Sequence, residues 1–567
     1  MPRTQRGLQQ QLDALGTACC TVFLLAMFCF FPLYIDTFSN LGLTKFSTGA
    51  ALLLAGSLAL GAVWAIGAHP VPGRLPVRDG TLWALGAVVV GTALSTAFSL
   101  SPTASVWGLG GYYGGCVMAL LTAAGYLAVR AFARAEQGPG LVLGIGATAA
   151  VVAVLYLLNI FNIDLIGAYE NTAVVERAQF FSTLGQKNFN GGYFAIVLPI
   201  IFYAFLQAST PRRAALYAVP ALFGALALVV VDAEGLALGL GTAALVLLCS
   251  RDFTVRTLRR AALLGAAFFG WAGWMYHMRQ TVYTQGGTPV LAGLGRPAVA
   301  LPGVLVCAVI WAVLWAAAHP RGGTVRDWPL YCAGRCVTMA LLCGVALLVL
   351  LANVWPGFPD LGRLNELLVF NDAWGTHRGL AWRICAAAWW EQPLCRKLLG
   401  VGPGMTHAAI AAWAGDALTP RMATFYAAHN EYLELLLTTG VAGLAAWLWF
   451  CAAHLRRGFA AWQRPGVAPV LLALCSYLAQ AAVSIRVSMN FPLVMLLFAL
   501  LAALCAAPEP AQTDGLHSPR PGAKTQRPPQ NGAASSPARR WGIWVLAALV
   551  LTAVCGAAGR ILFGFLW

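Results

Sequence analysis

Charge is scarce in this chain. Only 10% of its 567 residues are Asp, Glu, Lys or Arg, against roughly 25% in soluble domains. Hydrophobic residues make up 59%, so the chain could not stay in water, and a soluble enzyme or binding module is excluded. A nucleotide-binding P-loop is also missing. The run Gly400-Val401-Gly402-Pro403-Gly404 reads as a flexible turn and lacks the terminal Gly-Lys-Ser/Thr that such a loop needs. No CxxC pair and no His/Cys cluster has zinc spacing, so neither a metal nor a cofactor is expected. The 15 cysteines fall mostly inside apolar runs, where they behave as small apolar residues. Cys385 and Cys395 share a polar loop, and a disulfide between them is unforced. A cleavable signal peptide is not expected, because the first apolar run is too long and lacks a small-residue cleavage pattern.

What the chain has instead is apolar runs of roughly 17–25 residues, each long enough to cross about 30 Å of hydrocarbon. In lipid such runs must be helical, because every backbone polar group has to be satisfied internally. The expected class is all-α: a polytopic integral membrane protein of about 12–15 transmembrane helices with a long extracytoplasmic loop. Spans are expected near 15–35, 48–68, 81–98, 113–133, 141–161, 189–208, 214–231, 233–250, 261–277, 300–318, 336–355, 430–453, 468–485, 489–507 and 541–562. Asp232-Ala233-Glu234 separates two of these spans or bends a single longer one. Residues 1–507 form the main transmembrane unit, with the loop at 356–429. Residues 508–540, rich in Pro, Gly, Ser and Ala, read as a disordered cytoplasmic linker. Residues 541–567 hold one additional helix.

Basic residues give the orientation. With the N-terminus in the cytoplasm, the inner loops hold 23 of the 36 Lys and Arg, in pairs such as Arg130/Arg134, Arg212/Arg213 and Arg456/Arg457. The net charge of +16 then faces anionic headgroups of the bilayer, and nucleic acid is not an expected partner.

Three polar stations lie on the expected outer side. At the first, Arg177 precedes the turn Gly185-Gln186-Lys187-Asn188, and Asn188, Asn190 and Gly191-Gly192 open a span. This is either an ordinary helix start or a polar notch with Arg177 as an anion contact. At the second, Trp382, Cys385, Ala386, Trp389 and Trp390 recur at helical spacing, as in a helix lying along the membrane interface. Arg378 and Arg383, five residues apart, sit about 140° from each other on such a helix and do not share a face. Each is either a headgroup contact or a site residue. The third station is His429-Asn430-Glu431-Tyr432-Leu433-Glu434, at the mouth of a span that continues through Gly440 and Gly443. Ionisable groups there are costly unless paired or wet, which favours function over simple capping. Helical spacing puts Glu431 and Asn430 beside Glu434, and the two glycines admit a close helix neighbour.

His429-Asn430, nine residues, Gly440, two residues and Gly443 resemble the signature of the O-antigen ligase and polymerase superfamily. The Gly185…Asn188…Gly191 helix entry and the Arg378…Trp382…Pro393…Gly400-Val401-Gly402-Pro403-Gly404 run are similar to that family in the same order. The resemblance covers roughly residues 80–500. It implies a bacterial inner-membrane enzyme that moves a glycan from undecaprenyl diphosphate to a hydroxyl acceptor on a lipid, a glycan or a protein, inverting and metal-independent. In that scheme Arg378, then Arg177, stabilises the diphosphate, with Arg383 and Arg486 as outer contacts. Asn188, Asn430 and Glu434 would line the substrate site. His429 would either accept the acceptor's proton or only hydrogen-bond a substrate. Where family members often carry Ser-Arg-Gly, this chain has Ala233-Glu234-Gly235, so the work of that arginine falls to another residue or the substrate differs. The alternatives are a lipid-linked glycan flippase or transporter, and a non-catalytic scaffold of the same family.

Overall fold

The apolar runs fold as helices in a computed structural model that describes residues 3–69, 75, 79–108, 112–170, 172–282, 290–318 and 327–506. The expected linker at 508–540 and the last helix at 541–567 lie outside the described residues. Sixteen helices matter to the argument. They are α1 Gly7–Leu33, α2 Phe38–Ala65, α3 Gly80–Ala97, α4 Cys116–Phe132, α5 Ala135–Ile160 and α6 Lys187–Leu206. Next come α7 Pro211–Val231, α8 Glu234–Cys249, α9 Val255–Thr281, α10 Pro297–Ala318 and α11 Tyr331–Val354. In the long loop are α12 Trp374–Trp390 and α13 Thr406–Ala414, followed by α14 Glu431–Ala460, α15 Val467–Ala481 and α16 Phe491–Ala506. Among the described residues nine helices are long and apolar enough to cross a membrane, and there is no strand. The chain is an all-α polytopic membrane protein. α10 and α11 are apolar all round and almost wholly exposed, as lipid-facing helices are.

Asp232-Ala233 proves to be a true break. Asp232 adopts φ +42 and Ala233 is extended, so α8 begins afresh at Glu234. α6 enters differently from the expected Asn cap: Gln186 is its cap residue without a side-chain bond, and Asn190 one turn later ties back the preceding turn. The Asn190 amide donates to the Gly185 carbonyl (2.9 Å) and its oxygen accepts from the Ser182 hydroxyl (2.6 Å). At Gly191 a Cβ would lie 2.8 Å from that of Ala233, so the missing side chain lets α6 press against the start of α8.

The long loop is a folded unit with its own small core. Ala381, Ile384 and Cys385 of α12 pack against Met405, Ile410 and Phe425. The apolar face of α12 is therefore spent on the loop itself, while Trp390 on the opposite face stays exposed. Cys385 is buried, Cys395 is exposed, and both are free thiols.

This unit is fixed to the bundle by backbone. α14 is interrupted at Gly440 (φ +68, ψ −174), which releases carbonyls from the helical ladder. Val401 N–H donates to the Leu437 carbonyl (3.1 Å), and Gly402 N–H donates to that of Thr438 (2.9 Å). The Ser95 hydroxyl of α3 reaches the same Thr438 oxygen (2.6 Å), and Leu100 N–H reaches the Val401 carbonyl (2.9 Å). The Gly400–Gly404 run, which reads as a flexible turn in the sequence, is thus pinned between α3 and α14. One turn beyond, Gly443 faces Gly91, so α14 and α3 approach backbone to backbone.

At the far ends of these helices Asp79 caps α3, accepting from Thr81 N–H (2.8 Å), and pairs with Arg130 of α4 and with Arg457 of α14 (2.6 Å). α3 and α14 are therefore clamped at both ends, and α4 is tied to them at the Asp79 end.

Gly400 (φ +82) is the sharpest test of the docking, because a Cβ there would lie 2.1 Å from the Thr438 carbonyl oxygen. Gly400→Ala is expected to cost about 1–3 kcal/mol from the left-handed backbone alone. It should lower the thermal midpoint in detergent and expose the Gly400 segment to protease, whereas Gly415→Ala, whose Cβ meets nothing, should leave that segment protected.

Candidate functional site

The long-range order just described brings three residues together that are far apart in the chain. Arg378 opens the right-handed part of α12, after Gly375, Thr376 and His377 take φ values of +58, +57 and +70. Its side chain is buried, and its guanidinium donates to Glu234 at the start of α8 at 2.5 Å. His429 stands in the turn before α14, with φ +52, a conformation uncommon for a residue with a side chain. The Trp382 indole N–H reaches the His429 carbonyl (3.4 Å) and joins α12 to that turn. Burial pushes the His429 imidazole down to about 4, and the positive charge of Arg378 adds to the effect. Arg378, His429 and Glu234 therefore form one electrostatic unit, in which the imidazole is neutral at neutral pH.

Arg383 points the other way, into an exposed bidentate pair with Asp372 (2.9 and 2.7 Å). That guanidinium holds the Asp372 carboxyl below its usual range. Arg177, on the short helix Val174–Gln179, lies over the Tyr169 ring at 5.3 Å. No hydrogen bond or ion pair joins it to Arg378 or His429 among the described residues. Asn188 is half-buried in the first turn of α6.

The expected cluster at the mouth of α14 splits in two. Asn430 is the helix cap, its side-chain oxygen accepting from Tyr432 N–H (3.0 Å) and Leu433 N–H (3.1 Å). Glu431 is buried and binds Arg486 (2.9 and 2.5 Å) and the Tyr477 hydroxyl (2.8 Å). Arg486 also lies over Trp447 (4.5 Å) and Phe491 (4.1 Å), so its charge is committed to this pocket. Glu434 does not pair with Glu431 or with the Asn430 side chain. It accepts instead from the Thr406 hydroxyl (2.5 Å) and Ala428 N–H (2.7 Å). The second bond holds the backbone next to His429, so Glu434 positions the turn.

Glu234 is the site member that reading the sequence treated only as a departure. Its signal was a carboxylate opening a span, a costly placement that calls for a partner.

No protein-family model matches this chain, and no curated protein matches it at a significant level.

The depressed imidazole has a stability consequence whose sign is fixed. Between pH 6.5 and about 4 the unfolded chain protonates His429 and the folded protein does not, so stability is full above that window and falls as pH drops through it. His429→Gln should abolish up to about 3 kcal/mol of this acid sensitivity. Arg378→Gln should reduce it only in part, because burial is the larger cause. Unfolding midpoints of the three proteins from pH 7.5 to 4 measure both effects.

Proposed function

We propose that this protein is a bacterial inner-membrane glycosyltransferase of the O-antigen ligase and polymerase type, acting on the extracytoplasmic face. In this reading it moves a glycan from an undecaprenyl-diphosphate donor to a hydroxyl acceptor. The observation that carries the reading is the union of buried Arg378 with neutral His429 at one place, through a loop docked by backbone on the membrane domain. The spacing of His429-Asn430 with Gly440 and Gly443 supports it independently.

The chemistry follows from the charges. A lipid diphosphate arriving at the site displaces the Glu234 carboxylate from Arg378, and the guanidinium then faces the phosphate oxygens. Negative charge beside His429 favours the imidazolium, so the same event raises the imidazole to where it accepts a proton. The acceptor oxygen attacks the anomeric carbon on the face opposite the diphosphate, forming the new C–O bond with inversion. The C–O bond to the diphosphate breaks and its electron pair leaves with undecaprenyl diphosphate, whose growing charge Arg378 stabilises. The acceptor's proton passes to His429 and from there to water. Glu431, in the first turn of α14, and Arg486, between α15 and α16, neutralise each other and take no part in the transfer.

Purified protein supplied with a fluorescent undecaprenyl-diphosphate glycan and a hydroxyl acceptor tests the reading. Arg378→Ala and His429→Ala are each expected to lower transfer by about 10²–10⁴-fold. Arg383→Ala should change it less than threefold, because its pair with Asp372 is exposed. Full activity in folded Arg378→Ala and His429→Ala proteins would overturn the proposal. Movement of the donor across liposomes without joining would identify a transporter, and inactivity of the wild type in both assays would identify a scaffold. Glu234→Gln should bind an alkyl diphosphate several-fold more tightly than the wild type, measured by calorimetry, because the competing carboxylate is gone.

A further inference from the structure

A cavity with about 920 Å³ of empty space, its open mouth included, runs beside α14 between α3, α4 and α16. Neither Arg378 nor His429 lines it, although Ala427 of the adjoining turn does. Its walls change character along the helices. Near the loop they carry Tyr112, Tyr426, Glu431, Glu434 and Arg486. One to three turns further into the bundle they are Leu85, Val88, Val89, Met118 and Met495. A space graded in this way fits an amphiphile whose tail points into the apolar layer.

The polar end tells what kind of head group fits. Its cation, Arg486, is held by Glu431 at 2.9 and 2.5 Å and covered by two aromatic faces. Glu434 makes no ion pair among the described residues, and both its oxygens keep lone pairs after accepting from Thr406 and Ala428. Among the described residues that line the cavity, Arg486 is the one cation and it is committed to Glu431, so an anionic head would find no partner there. Hydroxyl groups would instead find carboxylate acceptors. Tyr426, half exposed and stacked on His407 at 4.6 Å, offers a ring face of the sort that sugar rings lie against. Tyr112, which burial and the Glu434 carboxylate push up to about 12, stays a neutral hydroxyl.

We propose that this cavity seats an uncharged, hydroxyl-bearing head group on a hydrocarbon tail, of the glycoside class. Because Ala427 lines the cavity and His429 follows two residues later in the same turn, such a ligand would hold its hydroxyls next to the turn that carries the imidazole. Its assignment as the acceptor of the transfer rests on the glycosyltransferase reading. Its binding does not.

The full chain in phosphatidylcholine nanodiscs, with no glycan donor present, tests the binding. The probe is octyl β-glucoside carrying a diazirine in its chain, and peptides labelled after irradiation are read by mass spectrometry. Saturable labelling of α3, α4 and α14 is expected, at least tenfold reduced by unlabelled octyl glucoside and unchanged by octyl phosphate. Glu434→Gln should weaken it several-fold, and Val89→Trp, which fills the apolar end, should abolish it. Equal competition by octyl phosphate would overturn the proposal, as would labelling that does not saturate and spreads over the lipid-facing α10 and α11. If Val89→Trp does not fold, the two competition arms on the wild type still decide. Failure here with transfer intact would leave the enzyme reading standing, and the reverse result would leave the cavity standing.

Discussion

The arrangement depends on the carbonyls freed where α14 breaks at Gly440. A transmembrane helix normally satisfies its own backbone, and interruption in lipid is tolerated only where other groups take up the loose ends. Here Val401 and Gly402 N–H and the Ser95 hydroxyl do so. The long loop is thereby attached by bonds that no side-chain substitution can imitate. From that attachment follow the place of α12, the burial of Arg378 and the small core that closes over the Ala427–Asn430 turn.

That turn carries opposite chemistry on its two flanks. His429, kept neutral, belongs with Arg378 and Glu234, whereas Ala427 and Glu434 face a cavity of acidic and aromatic character. The separation rests on Glu434 accepting from Ala428 N–H and on Asn430 capping α14, three bonds that fix which way each residue looks. At the opposite end Asp79, Arg130 and Arg457 tie α3, α4 and α14, so the cavity walls cannot splay.

The helices were legible because length and hydropathy alone decide what must span a bilayer, and the fourteen spans expected within the described residues each correspond to a helix. The different directions of Arg378 and Arg383 were also legible, since helical angle separates them. Other features were hidden for a physical reason. Glu234 and Arg378 are 144 residues apart, and no local pattern predicts such a pair. Gly440 looked like a packing glycine because the sequence does not show φ. The partners of Asn430 and Glu434, which are helix amides for the first and Thr406 with Ala428 for the second, were hidden as well, because they come from the fold.

The pairing of Glu234 with Arg378 has one more consequence. A lone guanidinium at the membrane surface is surrounded by phospholipid phosphates and would be occupied by whichever headgroup drifted past. If Arg378 receives an anion as proposed, the carboxylate at 2.5 Å neutralises it beforehand and would set a threshold: an anion must bind better than Glu234 before it binds at all. Single phosphates of the bulk lipid, loosely oriented and well hydrated, are poor competitors. A group with two linked phosphates, which presents several oxygens at once to the guanidinium fork, is a better one. Under the proposed function, the acidic residue would act as a filter against the commonest anions in the membrane, at the cost of weaker binding for the rare one that passes.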